Sequence, residues 1–361
     1  MSTAKLIIPQ TQKAAVLEDF NQDYVLKTDH PVKQPSELLP GECLVKLEYS
    51  GVCHSDLHIK KADWSRKGNL PLIGGHEGIG HVVAIGDHSG QNVIKIGDRV
   101  GLKWIANICG RCEMCRKGHE SSCPVSFQKT HGFMLHGTFQ QYAVSFIDYV
   151  TPIPDGIDSA AATPILCAGM TVYKALKQAN VSIGQWVAIS GAGGGLGHLA
   201  VQYAVARGLR VLAIDTGETK KELVLSLGAE KWIDFKESGD DLIKDVQAAT
   251  GGGPQAAIIA AGDPKPFNQA LLYLRSTGTL VAVGMPAGSG LLNAPVPLLI
   301  AKSLTIKGSA IGSQQDVTEA LQIAAMGKVE CRHEVRELDE LNNIFADMEA
   351  GKIAGRIVIK L

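Results

Sequence analysis

The sequence predicts an α/β protein in which a β-rich domain precedes a doubly wound parallel sheet. Up to about residue 150, short alternating apolar segments such as "ECLVKLEYSGVC" and "DRVGLKW" lie between turn signals, which is typical of β-strands. From about residue 155, near-continuous apolar runs such as "WVAIS" and "RVLAID" alternate with helical patterns such as "GHLAVQYAVARG". This alternation predicts buried parallel strands flanked by helices, and 361 residues suffice for two domains.

The later segments extend the same pattern to the end of the chain. The runs "KWIDF", "AAIIAAG" and "TLVAVG" predict further strands of the parallel sheet, and "KKELVLSLGA" and "DLIKDVQAAT" predict helices between them. After about residue 310, "QDVTEALQIAAMGKV" and "ELNNIFADMEAGKIAG" have helical periodicity. A last strand, "RIVIKL", follows them.

Charge and composition exclude several classes of partner. The chain has 35 basic and 36 acidic residues, well mixed, so no broad positive field exists to attract nucleic acid or an anionic membrane. The first residues carry no apolar stretch of signal-peptide length, and the first arginine is Arg66, unlike a mitochondrial leader. No run of eighteen apolar residues occurs. We therefore expect a cytoplasmic protein, in which clustered cysteines are metal ligands more often than disulfides.

A glycine-rich turn between a predicted strand and a predicted helix indicates dinucleotide binding. Its glycines are Gly191, Gly193, Gly194, Gly195 and Gly197. The spacing differs by one residue from G-x-G-x-x-G, but it still leaves backbone on which a pyrophosphate can rest at a helix N-terminus. Asp215 ends the next predicted strand, where a carboxylate binds ribose hydroxyls and favours NAD over NADP. Asp215 also stands where a helix N-cap would be, and both roles can coexist.

The stretch "ICGRCEMCRKGHESSCP" gathers four cysteines with the spacing C-x2-C-x2-C-x7-C. They are Cys109, Cys112, Cys115 and Cys123. A bacterial iron–sulfur run ends C-x3-C-P, and the seven-residue gap breaks that pattern. Zinc requires only four tetrahedral sulfur ligands. We therefore predict a zinc ion whose four positions are filled by protein and whose role is to order the loop.

Other possible ligands are scattered through "YSGVCHSDLH", "LIGGHEGIG" and "PILCAGMTVYKAL". Two thiolates and one imidazole bind zinc and leave a fourth position for a substrate oxygen. Spacing alone does not assemble Cys53, His76 and Cys167 into one site. A lone cysteine in an apolar helical stretch, such as Cys167, usually packs in a core.

With these motifs in place, the chain resembles the zinc-dependent medium-chain dehydrogenases over its whole length, and it looks closest to the cytosolic alcohol dehydrogenases of yeasts and fungi. The matching stretches include "YSGVCHSDLH", "LIGGHEG", "CGRCEMC", "GTFQQYA", "VGMPAG" and "IAGRIV". The resemblance implies a GroES-like, zinc-binding catalytic domain from residues 1–168 and 311–361. It also implies an NAD-binding Rossmann domain from residues 169–310.

The resemblance also implies roles for individual residues. Two cysteines and a histidine are the known catalytic zinc ligands of alcohol dehydrogenases, and the matching residues here are Cys53, His76 and Cys167. Glu77 would lie close behind the metal, and Asp56 would orient His76. Ser55 would take the alcohol proton and pass it through the nicotinamide ribose to His58 and then to water. The four-cysteine loop would hold a second, structural zinc.

The same resemblance implies the cofactor and substrate contacts. His54 and Arg356 would contact the pyrophosphate, and Asp215 with Lys220 would hold the adenosine ribose. The remaining predicted cofactor contacts are Gly191, Gly193, Gly194, Gly195, Leu196, Val283 and Met285. Trp64, Trp104 and Met285 would narrow the substrate pocket.

These features imply an NAD-dependent enzyme, a homotetramer, that interconverts short primary alcohols such as ethanol with their aldehydes. Two alternatives stay open: a relative that prefers larger or secondary alcohols, and a noncatalytic structural or binding member. The segment "SFQKTHGFMLHGTF", with His131 and His136, departs from the yeast pattern, as does "AAIIAAGDPKPF". Cys43 and Cys331 fit neither metal set, and we expect packing or surface thiols there.

Overall fold

The computed structural model describes residues 7–87, 94–286 and 290–361. The chain divides into two compact units. The first contains the described residues of Met1–Cys167, together with Ser313–Gln322 and His333–Leu361. The second contains the described residues of Ala168–Gly312, together with Ile323–Arg332.

The first part of the first unit is built mainly from strands. Its strands are β1 (Thr11–Leu17), β2 (Val25–Pro31), β3 (Glu42–Val52), β4 (Leu72–Ile73), β5 (Gly78–Ile85), β6 (Arg99–Leu102), β7 (Tyr142–Phe146) and β8 (Thr151–Pro152). Its helices are α1 (His54–Lys61), α2 (Glu113–Arg116) and α3 (Ser159–Ala162), with single 3₁₀ turns at Pro35–Glu37, Glu120–Ser122, Ser126–Gln128 and Thr163–Leu166. The alternating apolar pattern thus forms antiparallel pairs, as expected for strands with one buried face.

The second unit alternates strands and helices. It contains α4 (Ala168–Gln178), β9 (Trp186–Ser190), α5 (Gly197–Ala206), β10 (Arg210–Asp215), α6 (Glu218–Ser226), β11 (Lys231–Asp234), α7 (Phe235–Ser238), α8 (Leu242–Ala249), β12 (Ala256–Ile259), α9 (Lys265–Tyr273), β13 (Thr279–Ala282), α10 (Val296–Lys302) and β14 (Thr305–Gly308). A 3₁₀ turn spans Gly239–Asp241. The strands form one parallel sheet in the order β11-β10-β9-β12-β13-β14. The order reverses beside β9, and ligands of doubly wound sheets bind at the carboxyl ends of the strands at such a point.

The end of the chain lies mainly in the first unit, although the last residues of its first helix belong to the second. Its elements are α11 (Gln314–Ala325), β15 (His333–Glu337), a 3₁₀ turn (Leu338–Glu340), α12 (Leu341–Glu349) and β16 (Arg356–Lys360). Strand β16 joins a sheet of order β15-β16-β3-β5-β6-β8, in which β7 also pairs with β3. A second sheet has the order β2-β1-β4. Because Ile357 lies opposite Val52, Arg356 is brought next to the end of β3.

Each unit has its own hydrophobic core. In the first, Leu17, Ile73 and Phe345 are fully buried in one cluster, and burial of such a side chain stabilises the fold by about 1.5–3 kcal/mol. In the second, Ala188 and Leu280 belong to the core beneath the parallel sheet. Within the described ranges, no helix is long and apolar enough to cross a membrane. The predicted combination of a β-rich part and a doubly wound parallel sheet is confirmed.

Candidate active site

The ligand set implied by the family resemblance meets in the first unit. Antiparallel pairing of β3 with β5 sets Ser50 opposite Gly78, so the residues that flank these strands, Cys53 and His76, come together. Cys167 follows the 3₁₀ turn Thr163–Leu166. The ligating atoms of Cys53, His76, Glu77 and Cys167 all lie within 4.8 Å of one another. Folding, and not sequence spacing, therefore creates the cluster.

Asp56 bonds two members of this cluster at once. One carboxylate oxygen lies 3.0 Å from His76 Nδ1, and the other accepts the Cys53 backbone N–H at 2.9 Å. Burial lowers the pKa of His76, but the charge and hydrogen bond of Asp56 oppose this, and the pKa lies well above its ordinary value. With Nδ1 held by Asp56, His76 directs Nε2 toward the cluster, where it lies 3.3 Å from Cys167 Sγ.

The donor set fits zinc. Zn–S bonds of about 2.3 Å and Zn–N bonds of about 2.0–2.1 Å in a tetrahedron separate N and S by about 3.6 Å, close to the observed separation. The hydrogen bond between the two thiols lowers the pKa of Cys53 and raises that of Cys167, so one of them is prepared as a thiolate. Two sulfurs and one imidazole fill three positions of a catalytic site and leave the fourth free.

Glu77, the fourth member of the cluster, is paired with Arg356. The Arg356 guanidinium donates a hydrogen bond to Glu77 Oε1, which is 3.9 Å from His76 Nε2. Burial raises the pKa of Glu77 to about 7, although the charge of Arg356 opposes the shift. Glu77 Oε2 is buried and has no hydrogen-bond partner among the described residues. A Cβ on Gly51 would lie 2.1 Å from that oxygen, so only glycine leaves room for the carboxylate.

The predicted relay residues project from α1. Ser55 Oγ lies 3.7 Å from Cys53 Sγ. His58 is partly exposed, its Nδ1 is 2.8 Å from Asp63 Oδ1, and its ring stacks on Trp64 at 5.4 Å. Asp63 was missed by sequence reasoning. Its only sequence signal is an acid just beyond the helix that carries His58.

The two tryptophans predicted to narrow the pocket lie beside these residues. The Trp104 ring meets the His76 ring edge to face at 5.0 Å, and it meets Trp64 edge to face at 6.3 Å. Two aromatic rings in contact with each other therefore lie beside the His76 imidazole. Met285 belongs to the second unit, where it is 58% exposed.

The cysteine loop forms a separate, second ligand set. Its four sulfurs lie within 4.8 Å of one another, and Cys115 Sγ is 3.5 Å from Cys112 Sγ and 3.9 Å from Cys109 Sγ. Four Zn–S bonds of about 2.3 Å would set sulfurs about 3.8 Å apart. Backbone N–H groups of Arg111 and Cys112 lower the pKa of Cys109 to about 6, whereas burial raises that of Cys115 to about 12. The four sulfurs fit a zinc ion with every coordination position filled by protein, and no member forms a disulfide.

The glycine-rich turn and Asp215 assemble at one edge of the second unit's sheet. The Asp215 carboxylate accepts the Gly193 N–H at 2.9 Å, and Lys220 Nζ lies 3.1 Å away. Gly191 has φ = +77°, and a Cβ on Gly197 would lie 2.0 Å from Gly191 O. The turn therefore needs glycine both for its backbone angle and for close approach of α5.

Other predicted cofactor residues lie at or beside the ends of helices and strands. His54 is exposed at the start of α1. Leu196 precedes the first residue of α5, and Val283 directly follows β13. Arg356 is 5% exposed and is directed at Glu77, as described above.

The two cysteines outside the metal sets are packing residues. Cys43 is fully buried in β3, and burial raises its pKa to about 12. Cys331 is 3% exposed, and its Sγ lies 3.8 Å from His198 Nε2. Both thiols are buried, which limits their access to reagents.

A nucleotide-binding sheet combined with two zinc-type ligand sets is the combination that characterises the zinc-dependent dehydrogenases. The model for the alcohol dehydrogenase GroES-like domain matches residues 39–155, and that for the zinc-binding dehydrogenases matches residues 195–326.

Comparison with individual proteins agrees with these matches. Alcohol dehydrogenase 1 of Emericella nidulans is 46% identical over 356 residues, which cover 98% of this chain and 99% of that protein. An alcohol dehydrogenase of Schizosaccharomyces pombe is 44% identical over 357 residues, or 99% of each chain. The structure of acetophenone reductase from Geotrichum candidum in complex with NAD aligns with a TM-score of 0.85 at 30% identity, covering 98% of both chains. This chain belongs to the zinc-containing alcohol dehydrogenase family, and the predicted family is confirmed.

Proposed function

We propose that this chain is an NAD-dependent alcohol dehydrogenase that interconverts short primary alcohols and aldehydes by hydride transfer. The observation that carries the proposal is the buried cluster of Cys53, His76 and Cys167, with Asp56 behind the imidazole. These three residues would hold zinc and leave one position for a substrate oxygen. Relatives named alcohol dehydrogenase at 44–46% identity support the same activity.

Zinc at this cluster would lower the pKa of an alcohol hydroxyl as a Lewis acid, and NAD would supply the hydride acceptor. The protein's own task is to fix the ligands and to remove a proton. Ser55 is the first proton acceptor in this proposal because its hydroxyl is beside Cys53. His58 receives the proton next, since its Nδ1 is held by Asp63 and its ring is partly exposed to water.

The proposed cofactor is NAD. The Asp215 carboxylate already accepts two backbone N–H groups, from Gly193 and Thr216, and it would accept the ribose hydroxyls as well. A 2′-phosphate would meet this carboxylate as a like charge, although Lys220 reduces that repulsion. The other proposed cofactor contacts are His54, Gly191, Gly194, Gly195, Leu196, Val283, Met285 and Arg356.

The cysteine loop is proposed to hold a second zinc ion with a structural role. Its ligands are Cys109, Cys112, Cys115 and Cys123. Within this loop, Glu120 accepts hydrogen bonds from the Tyr149 hydroxyl and from the Gln314 backbone N–H. An ordered loop therefore ties three separate stretches of the first unit together.

A homotetramer is proposed for the assembly, and a cytoplasmic location for the protein. Strand β14 is exposed along its whole length at the end of the parallel sheet, and α10 exposes Val296 and Ile300. An unpaired strand edge beside apolar side chains favours pairing with another chain. Light scattering should give the mass of four chains, and Ile300→Glu should shift the protein to smaller species. A wild-type monomer would contradict the proposal.

The activity is tested with purified, zinc-loaded protein. Initial rates with ethanol, 2-propanol, 1-hexanol and a bulky alcohol are measured with NAD and with NADP. We expect the highest kcat/KM for ethanol with NAD. A preference for 2-propanol or the bulky alcohol would favour the alternative of a secondary- or large-alcohol dehydrogenase. No turnover of any alcohol or aldehyde by zinc-loaded protein would favour a noncatalytic member.

A further inference from the structure

Residues 126–139, the segment that departs from the pattern of the yeast enzymes, are hydrogen-bonded to the stretch that contains Trp104. The His131 backbone N–H donates to Trp104 O at 2.9 Å, and His131 Nδ1 is 2.7 Å from Lys103 O. Burial lowers the pKa of His131 to about 4, so the imidazole is neutral and Nδ1 is the donor to that carbonyl. Two hydrogen bonds from one buried residue thus fix the backbone of the pocket tryptophan.

The same segment is hydrogen-bonded to the stretch that follows Trp64 in the sequence. The Asn69 backbone N–H donates to Phe133 O at 2.9 Å, and the Asn69 side chain donates to Met134 O at 2.8 Å. A Cβ on Gly68 would lie 2.7 Å from Phe133 O, so the two stretches are in close contact. The segment therefore connects the two stretches that carry Trp64 and Trp104.

Phe133 packs against both of these tryptophans. Its ring lies 5.6 Å from Trp104 at an interplanar angle of 31°, and 6.3 Å from Trp64 at 67°. The Phe127 ring also contacts the Phe133 ring, edge to face, at a centroid distance of 5.9 Å. Phe133 is only 3% exposed, so it does not itself offer a surface to a substrate. Any effect on substrate choice must act through the tryptophans.

We propose that Phe133 is a positioning residue that fixes the spacing of Trp64 and Trp104 and thereby sets the upper size of the alcohol that the enzyme accepts. This inference rests on the proposed function. Trp104 is against the metal-ligating His76 and Trp64 is against His58, so a shift of either ring changes the space beside both. Removing the Phe133 ring leaves a cavity into which a tryptophan can move, because interiors are close-packed.

The test compares Phe133→Leu and Phe133→Ala with a matched control, Phe345→Leu. Phe345 is fully buried in the same core cluster, but it stacks on Tyr24 and makes no ring contact with the described tryptophans. The ratio of kcat/KM for 1-hexanol to that for ethanol is measured with NAD. We expect Phe133→Ala to raise this ratio about tenfold or more, mainly through a lower KM for hexanol, since apolar pocket changes are worth about 10–200-fold. Phe133→Leu should give a smaller rise, and Phe345→Leu none.

A second measurement does not depend on turnover. Quenching of tryptophan fluorescence by acrylamide, in zinc-loaded and in metal-free protein, should increase in the Phe133 variants but not in Phe345→Leu. If Phe133→Ala does not fold, Phe133→Leu serves for both measurements. Equal loss of rate for both alcohols, or a ratio within twofold of the Phe345→Leu ratio, would overturn the inference. Failure of the wild-type enzyme to oxidise any alcohol would instead refute the proposed function.

Discussion

Single carboxylates prepare the candidate active site before any metal or substrate binds. Asp56 holds the Cys53 backbone and the His76 ring at the same time, and Asp63 holds His58. Such outer carboxylates fix the tautomer and orientation of the ligating or proton-carrying imidazole. The Glu77 carboxylate can occupy its position only because Gly51 has no side chain. The geometry therefore depends on residues with no direct role in the proposed chemistry.

Asp215 provides a test of cofactor choice at the residue scale. Asp215→Gly removes the carboxylate that would bind the ribose hydroxyls and repel a 2′-phosphate, so discrimination against NADP should fall by about tenfold or more. The ratio of kcat/KM for NAD to that for NADP measures this effect. Unchanged discrimination would contradict the role of Asp215.

His131 provides a pH test. Burial lowers its pKa from 6.5 to about 4, so its contribution to stability is complete above pH 6.5 and is lost as the pH falls toward 4. Below pH 6.5 the unfolded chain binds a proton that the folded chain does not, which costs up to about 3 kcal/mol. In His131→Gln this part of the pH dependence should disappear from urea unfolding curves.

The control for this test is His119→Gln, which changes an exposed histidine. It should retain the wild-type slope between pH 6.5 and 4. A His131→Gln variant with the same slope as the wild type would mean that the imidazole is protonated in the folded protein.

At the scale of elements, the cysteine loop is predicted to need its metal for order. Its own helix α2 has four residues and buries none of them, so apolar packing contributes little. Cys112→Ser should lower the thermal midpoint by about 10 °C or more, whereas kcat of the folded remainder should change little. Cys331→Ser is the matched control and should keep the full metal content. Normal stability combined with lost turnover would contradict the structural role.

The sequence predicted the elements of the parallel sheet well, because buried parallel strands are short apolar runs between glycine turns and amphipathic helices. The runs "WVAIS" and "RVLAID" coincide with β9 and β10. Short strands such as β4 and β8, two residues each, carry no periodicity that a pattern can detect. Ile323–Arg332 belongs to the second unit although the residues on both sides of it belong to the first. Long-range packing determines this, and local residue patterns do not reveal it.

Site residues likewise differ in how far the sequence alone can predict them. The four-cysteine loop could be predicted from spacing because its ligands are close in sequence. Cys53, His76 and Cys167 could be proposed as a set only through the family resemblance, since antiparallel pairing of β3 with β5 brings the first two together. Asp63, Gly51 and Phe133 act through contacts that only the folded chain displays.

At the scale of the whole molecule, the chain combines a β-rich unit that contains both candidate metal sets with a parallel-sheet unit that contains the glycine-rich turn. Two relatives of nearly equal length align with almost all of this chain. Both candidate metal sets lie in the first unit, but they share no residue. Mutation of one set therefore leaves the ligands of the other in place, and the two zinc sites should be separable by mutation.

Metal content per chain, measured together with activity, tests the central claim most directly. Wild-type protein should contain two zinc ions per chain. Cys167→Ser should contain one, lose alcohol oxidation, and keep a thermal midpoint close to that of the wild type, because the structural loop is intact. If active preparations contain no zinc, or if Cys167→Ser oxidises alcohols at the wild-type rate, the cluster of Cys53, His76 and Cys167 is not the reaction centre.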